Sequence, residues 1–200
     1  MRPIKISLIH GAFLQGLKEI EDRFVAVSAA LAADRARQAW VAEMSLVSGV
    51  TLWEGYLTEL LIAHICHDPS VFIAEFGLPP KSTIVTRPLV EAVFAGLRYL
   101  EIRGYQDIQK FGNTYVEAKR NPFGKVGDAL AKSLDDSLKI RNHIVHDSRQ
   151  SKAAYQRVLH RQGLAGKVPK PGFFLIAQHA GKTRLATQIE NMRKAVAALR

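Results

Sequence analysis

From Phe13 to Ala33 the apolar positions Phe13, Leu17, Ile20, Phe24, Val27 and Leu31 recur every three or four residues, the spacing of one helix face. Beyond the charged segment "ADRARQ" a second stripe runs through Leu46, Val50, Trp53, Leu57, Leu60 and His64 and predicts a long helix. It should end near Cys66, where "HDPS" supplies turn chemistry and a proline that cannot continue the hydrogen-bond ladder. A third stripe, Leu130, Leu134, Leu138, Arg141 and Val145, follows Asp128, a residue type suited to capping a helix. Arg141 is its odd member, a permanent cation among apolar positions. A further helix is predicted from about Ser151 to Arg161, and "TRLATQIENMRKAVAALR" closes the chain as an amphipathic helix.

Between these elements the pattern weakens. "VFIAEFGLPPKSTIVTRP" reads as a short helix, a glycine stop and a loop marked by two prolines, and "LVEAVFAGLRYLEI" as helix until Gly104. "GYQDIQKFGNTYVEAKRNPFGKVGD" reads as a long, partly ordered connection. "GLAGKVPKPG" is a loop, and "FFLIAQ" reads as one short strand or extended pairing segment. There is no internal repeat. The expected architecture is all-α: a single domain over residues 1–200, with its bundle core at about 13–161. Residues 163–200 form a C-terminal extension that carries the closing helix.

Composition supplies material for that core, with 48% hydrophobic and 23% charged residues. Lys and Arg outnumber Asp and Glu by 28 to 18, a net charge of +10, so a phosphate-rich partner and a merely basic, solvated surface both fit. Cys66 is the lone cysteine, which gives no disulfide framework and agrees with a reducing cytoplasm. In "MRPIKISLIHGAFLQGL" His10 and Gln15 interrupt the apolar run and no small-residue cleavage site follows, so no signal peptide is expected. No uncharged apolar run approaches the ~18–20 residues that span a bilayer, and no membrane partner is expected.

The chemistry concentrates in "KIRNHIVHDS", where Arg141, Asn142, His143 and His146 crowd the end of the third helix. At about 100° per residue Asn142 and His146 share a face, whereas Arg141 lies about 140° round from His146. The two converge only if Arg141 folds its side chain around, if the helix loosens near His146, or if a partner chain completes the arrangement. Histidine exchanges protons near neutral pH, and arginine offers a planar fork for phosphate oxygens. Such a pair suffices for RNA cleavage with no metal or other cofactor, the 2′-OH serving as internal nucleophile.

"RNHIVH" also resembles the R-x4-6-H motif of HEPN domains, all-α modules found in prokaryotic toxin, phage-defence and RNA-processing proteins. The resemblance implies a helical bundle, usually homodimeric, in which two motifs form one ribonuclease site that leaves a 2′,3′-cyclic phosphate. Arg141 and His146 would be its catalytic pair, with Asn142 the polar residue that follows the arginine. Glu54, in "LWEGYL" on the other strong helix, would orient Arg141 or His146. RNA is the implied substrate, and a neutralising antitoxin protein is a candidate partner. Lys139, and His143 on a solvated side, would face RNA. Lys119, Arg120 and Lys125, interleaved with aromatics in "KFGNTYVEAKRNPFGK", suit single-stranded RNA through stacking and phosphate contacts or form an ordinary basic loop.

Other readings stay open. Arg141 can be a structural ion-pair partner of Glu54 or Asp135 and His146 a helix-end residue favoured by the dipole, which leaves a non-catalytic HEPN-like module that binds RNA, a nucleotide or a protein. A helical DNA-binding regulator would rest on "SKAAYQRVLHRQG" as recognition helix, without a convincing partner helix. "HICHD" holds metal-capable side chains but no second cluster at ligand spacing, so no metal is expected there.

Overall fold

A computed structural model describes residues 5–79, 84–96, 102, 104–164, 166 and 168–200. Helix α1 (Ile6–Ala30) begins earlier than the sequence suggested and buries Phe13, Leu17 and Phe24 from the expected stripe, while Val27 stays exposed. Helix α2 (Arg35–His67) spans about 50 Å at 1.5 Å per residue. It starts where the Asp34 side chain accepts from the Arg37 N–H, and it ends at Asp68 and Pro69 as the turn chemistry predicted. Its later turns are buried all round: Leu60, Leu61, Ile62, Ala63 and Ile65 are all inside. Such a helix has no water-facing side there because neighbours surround it.

Those neighbours follow in chain order. Helix α3 (Ser70–Glu75) stops at Gly77, whose φ of +59° suits glycine. Helix α4 (Arg87–Gly96) buries Val90 and Phe94; the rest of its expected length, 97–101, and the loop residues 80–83 lie outside the described residues. The glycine-rich stretch after Gly104 is not a loose connection. It folds as helix α5 (Tyr105–Tyr115) and two single turns, Ala118–Arg120 and Phe123–Lys125. Tyr105, Ile108 and Phe123 are buried, and the Tyr105 hydroxyl donates to the Phe123 carbonyl at 3.0 Å.

Helix α6 (Asp128–His146) is capped by Gly127, with Asp128 as its first residue rather than its cap, where the carboxylate still favours the helix dipole. Helix α7 (Arg149–Arg161) follows after two residues, and Ser148 and Ser151 exchange hydrogen bonds in a capping box. "FFLI" is a helix, not a strand: α8 (Pro171–Ile176) opens with proline at its first position. A two-residue hairpin, β1 (Gln178–His179) with β2 (Lys182–Thr183), turns on Ala180 and Gly181, both at positive φ. Thr183 then caps helix α9 (Arg184–Ala198).

The result is an all-α bundle around α2, which packs against α1, α4, α5, α6, α8 and α9. The segment after Gly163 joins the core, burying Phe174, Leu175, Leu185, Ile189 and Met192. Gly172 lets α8 lie against α2, since a Cβ there would sit 2.3 Å from the Ala39 carbonyl oxygen. Among the described residues no helix is long and apolar enough to cross a membrane.

Candidate functional site

Of the third stripe, Leu134 and Leu138 lie in the core beside Ile140, Val145 is exposed, and Arg141 sits on the adjoining edge facing α2. An arginine there requires a counter-charge, and Glu54 of α2 provides it: Arg141 Nη2 donates to Glu54 Oε1. The side chains are 17% and 28% exposed, so the pair is partly shielded from water. Burial raises the Glu54 carboxyl above its ordinary pKa, and the Arg141 charge and hydrogen bond pull it back down. Arg141 Nε is buried without a hydrogen-bond partner, so the guanidinium retains an unused donor.

His146 ends the helix in a different setting. It is exposed and makes no side-chain hydrogen bond or ion pair among the described residues. Asp147 follows in the left-handed region, φ 38°, and donates its N–H to the His143 carbonyl at 3.1 Å, closing the last turn. The helix is therefore regular through the whole motif, and the α6–α7 turn holds His146 at a vertex. Arg141 and His146 keep their separation of about 140° around the axis. In one chain Arg141 is turned to α2 by Glu54, whereas His146 is exposed to solvent. Asn142, half-buried, lies on the His146 side of the helix.

His143 departs from expectation. Its side chain is 11% exposed rather than solvated, because α7 folds back and stacks Tyr155 on the imidazole with 5.1 Å between centroids. Tyr155 is fixed in turn by donating its hydroxyl to the Pro169 carbonyl at 3.0 Å. His143 Nδ1 is buried with no hydrogen bond, 3.6 Å from Asp147 Oδ1. A cavity of about 350 Å³ adjoins this face, with Glu43, His143, Asp147, Lys152 and Lys170 in its wall. No local pattern announces it, since its wall comes from α2, α6, α7 and the segment before α8.

The remaining candidates lie elsewhere. Lys139 is held 3.6 Å from Asp136. Lys119, Arg120 and Lys125 precede the start of α6, about 27 Å along its axis from His146. Lys119 and Lys125 are exposed, and Arg120 pairs with Asp68 at 3.2 Å. In "HICHD", His64 Nε2 is buried without a partner, and burial depresses the ring to a pKa of about 4. No group of three or more His, Cys, Asp or Glu side chains gathers as a metal site among the described residues. A wider groove of about 890 Å³ between α1 and α2 is apolar; its one carboxylate, Glu59, already pairs with Arg87. It offers the motif no chemistry.

Compared with protein-family models, with curated proteins and with solved structures, the chain matches none.

Proposed function

We propose that the protein is a homodimeric, metal-independent endoribonuclease of the HEPN type, a toxin or phage-defence effector. What carries the reading is the contrast within one helix end: an arginine anchored by Glu54, and five residues on a solvent-exposed histidine. Because the two face different ways in one chain, the reading needs two copies whose α6 ends meet, so that Arg141 of one and His146 of the other face one phosphate.

In that arrangement the 2′-OH attacks the adjacent phosphorus and the bond to the 5′-oxygen breaks. His146 removes the 2′-OH proton, and the second copy's His146 protonates the leaving oxygen. Arg141 balances the charge that grows on the phosphate oxygens. The products are a 2′,3′-cyclic phosphate and a 5′-hydroxyl. Glu54 is a positioning residue: it holds the guanidinium and does not touch substrate.

A second reading is favoured by the same ion pair. Arg141 satisfied by Glu54 is also how a bundle tolerates a cation in its core edge, and a non-catalytic binding module follows. Incubation of single-stranded RNA with the wild type and with His146→Ala separates the two. The nuclease reading expects fragments with cyclic phosphate ends that disappear in the variant. Fragments produced equally by the variant sink it.

A further inference from the structure

A cavity of about 400 Å³ opens among α6, α7, the hairpin and α9. Its wall includes Ser133, Arg161, Gln162, His179, Arg184 and Gln188. These residues come from four separate stretches of chain, and the proposed cleavage chemistry uses none of them.

Three hydrogen bonds of this wall run one way. Gln162 Oε1 accepts from Arg184 Nε at 3.2 Å, Gln188 Oε1 from Ser137 Oγ at 2.6 Å, and Ser133 Oγ from Asn191 Nδ2 at 2.7 Å. With those acceptors engaged, the amide NH₂ groups of Gln162 and Gln188 and the Ser133 hydroxyl proton remain as donors. Thr187, also in the wall, is the exception, since it donates its own proton to the Thr183 carbonyl at 3.3 Å. A wall whose acceptors are used and whose donors are free selects a ligand made of acceptors.

Charge points the same way. Arg184 is half-buried and has no carboxylate partner among the described residues. Its guanidinium lies over the Phe174 ring, 4.9 Å from the centroid, which fixes its plane while leaving its terminal nitrogens unpaired. Arg161 pairs with Asp136, and that carboxylate also has Lys139 at 3.6 Å. The two arginines of the wall, Arg161 and Arg184, thus have one paired carboxylate between them, Asp136 on Arg161. His179 reaches the rim from the hairpin.

We infer that this cavity binds a phosphate monoester. The terminal nitrogens of Arg184 and the Arg161 nitrogens that Asp136 leaves unused, together with two amides and a hydroxyl, exceed what the two oxygens of a carboxylate accept, whereas a phosphate presents three terminal oxygens and suits guanidinium donors. The volume exceeds that of the anion and admits the group esterified to it, within the range of small-ligand sites. The monoester comes either from a free small molecule or from the 5′-phosphate end of an RNA.

Calorimetric titration of the full chain tests this with four probes: inorganic phosphate, ribose 5-phosphate, and a short RNA with a 5′-phosphate or a 5′-hydroxyl. Saturable binding of the phosphate probes is expected, weakened about tenfold or more in Arg184→Gln, which loses charge-assisted hydrogen bonds. Thr187→Asp is the second variant. Its carboxylate sits in the early turns of α9 beside two arginines, where the fold tolerates it, and it repels the ligand. Loss of binding in a folded Thr187→Asp supports the site even if Arg184→Gln does not fold. Tighter binding of the 5′-phosphorylated RNA than of its 5′-hydroxyl counterpart and of ribose 5-phosphate assigns the ligand to an RNA end; tightest binding of ribose 5-phosphate assigns it to a small molecule. No saturable binding to any phosphate probe, or binding that Thr187→Asp leaves intact, overturns the inference.

Discussion

Arg141 and Glu54 meet as a partly buried ion pair across the α6–α2 interface, although 87 positions separate them in the chain. The pair answers the cation in an otherwise apolar stripe, and it fixes the guanidinium on the helix end that carries Asn142, His143 and His146. The same contact serves stability and, in the proposed site, catalysis. Experiments must therefore separate the two roles.

A double-mutant cycle does so for stability. Arg141→Ala leaves the Glu54 carboxylate half-buried without its cation and should cost about 2 kcal/mol, less than a fully buried pair would. Glu54→Ala leaves the cation unpaired and should cost a similar amount. Urea unfolding of the double variant should show a loss smaller than the sum, with a coupling of about 1 kcal/mol. Additive losses would mean that the two groups do not interact in solution.

His146 is exposed and bonded to nothing described, so its removal should leave the melting temperature within a degree or two while cleavage falls about 10² to 10⁴-fold. A composite site adds a complementation signature. Arg141→Gln and His146→Ala, each inactive alone, should recover partial RNA cleavage when co-refolded, because the mixed dimer contains one Arg141 and one His146 that face each other. Activity in neither the separate nor the mixed preparations would argue against sharing across copies.

Gly172→Ala should destabilise the bundle by about 3 kcal/mol, because the new Cβ meets the Ala39 carbonyl oxygen at 2.3 Å and helix backbone yields little. The variant also displaces the Gly172 N–H from Glu43 Oε1, which it meets at 2.7 Å. A melting temperature equal to that of the wild type would show that α8 does not press on α2.

His64 gives the fold an acid limit. Its folded pKa of about 4 lies below its ordinary 6.5, so the folded state holds fewer protons than the unfolded chain between those values. Its contribution is complete above pH 6.5 and is lost as pH falls towards 4. The expected loss is on the order of 2 kcal/mol, discounted because the ring keeps some contact with solvent. His64→Leu should flatten the stability profile across that window, leaving the smaller effect of His10, which burial also depresses. An unchanged slope in denaturation measured at pH 4.5 and 6.5 would place the effect elsewhere.

Deleting residues 163–200 should abolish cooperative unfolding. Phe174, Leu175, Leu185, Ile189, Met192, Val196 and Leu199 are all buried, and seven such side chains at about 1.5–3 kcal/mol each outweigh the net stability of a domain. A folded, cooperative 1–162 fragment would show that the segment is dispensable.

The long helices were readable because each buries one face over many turns, so the spacing repeats often enough to exceed chance. Short elements do not repeat. "FFLI" holds four apolar residues in a row, which suit a buried strand and a buried helix equally; Pro171 at the helix start was the one discriminating residue. In α5 the spacing of Tyr105, Ile108, Gly112 and Tyr115 is helical, but glycines and charges mask it. The site divides in the same manner. Arg141 stood out as a cation in an apolar stripe, and Glu54 was among its foreseeable partners. The burial of His143 under Tyr155 was not foreseeable, because stacking depends on how sharply α7 turns back.

By itself the sequence determined the helical class, the positions of α1, α2, α6 and α9, and the density of proton-exchanging and cationic groups at the end of α6, since periodicity and composition are local properties. Only the tertiary structure decided that Arg141 is anchored to Glu54 while His146 stays free, that residues after Gly163 complete the core, and that Arg161, His179 and Arg184 share one cavity. Those facts depend on which helix faces pack together, and packing joins residues whose separation along the chain carries no record of their distance in space.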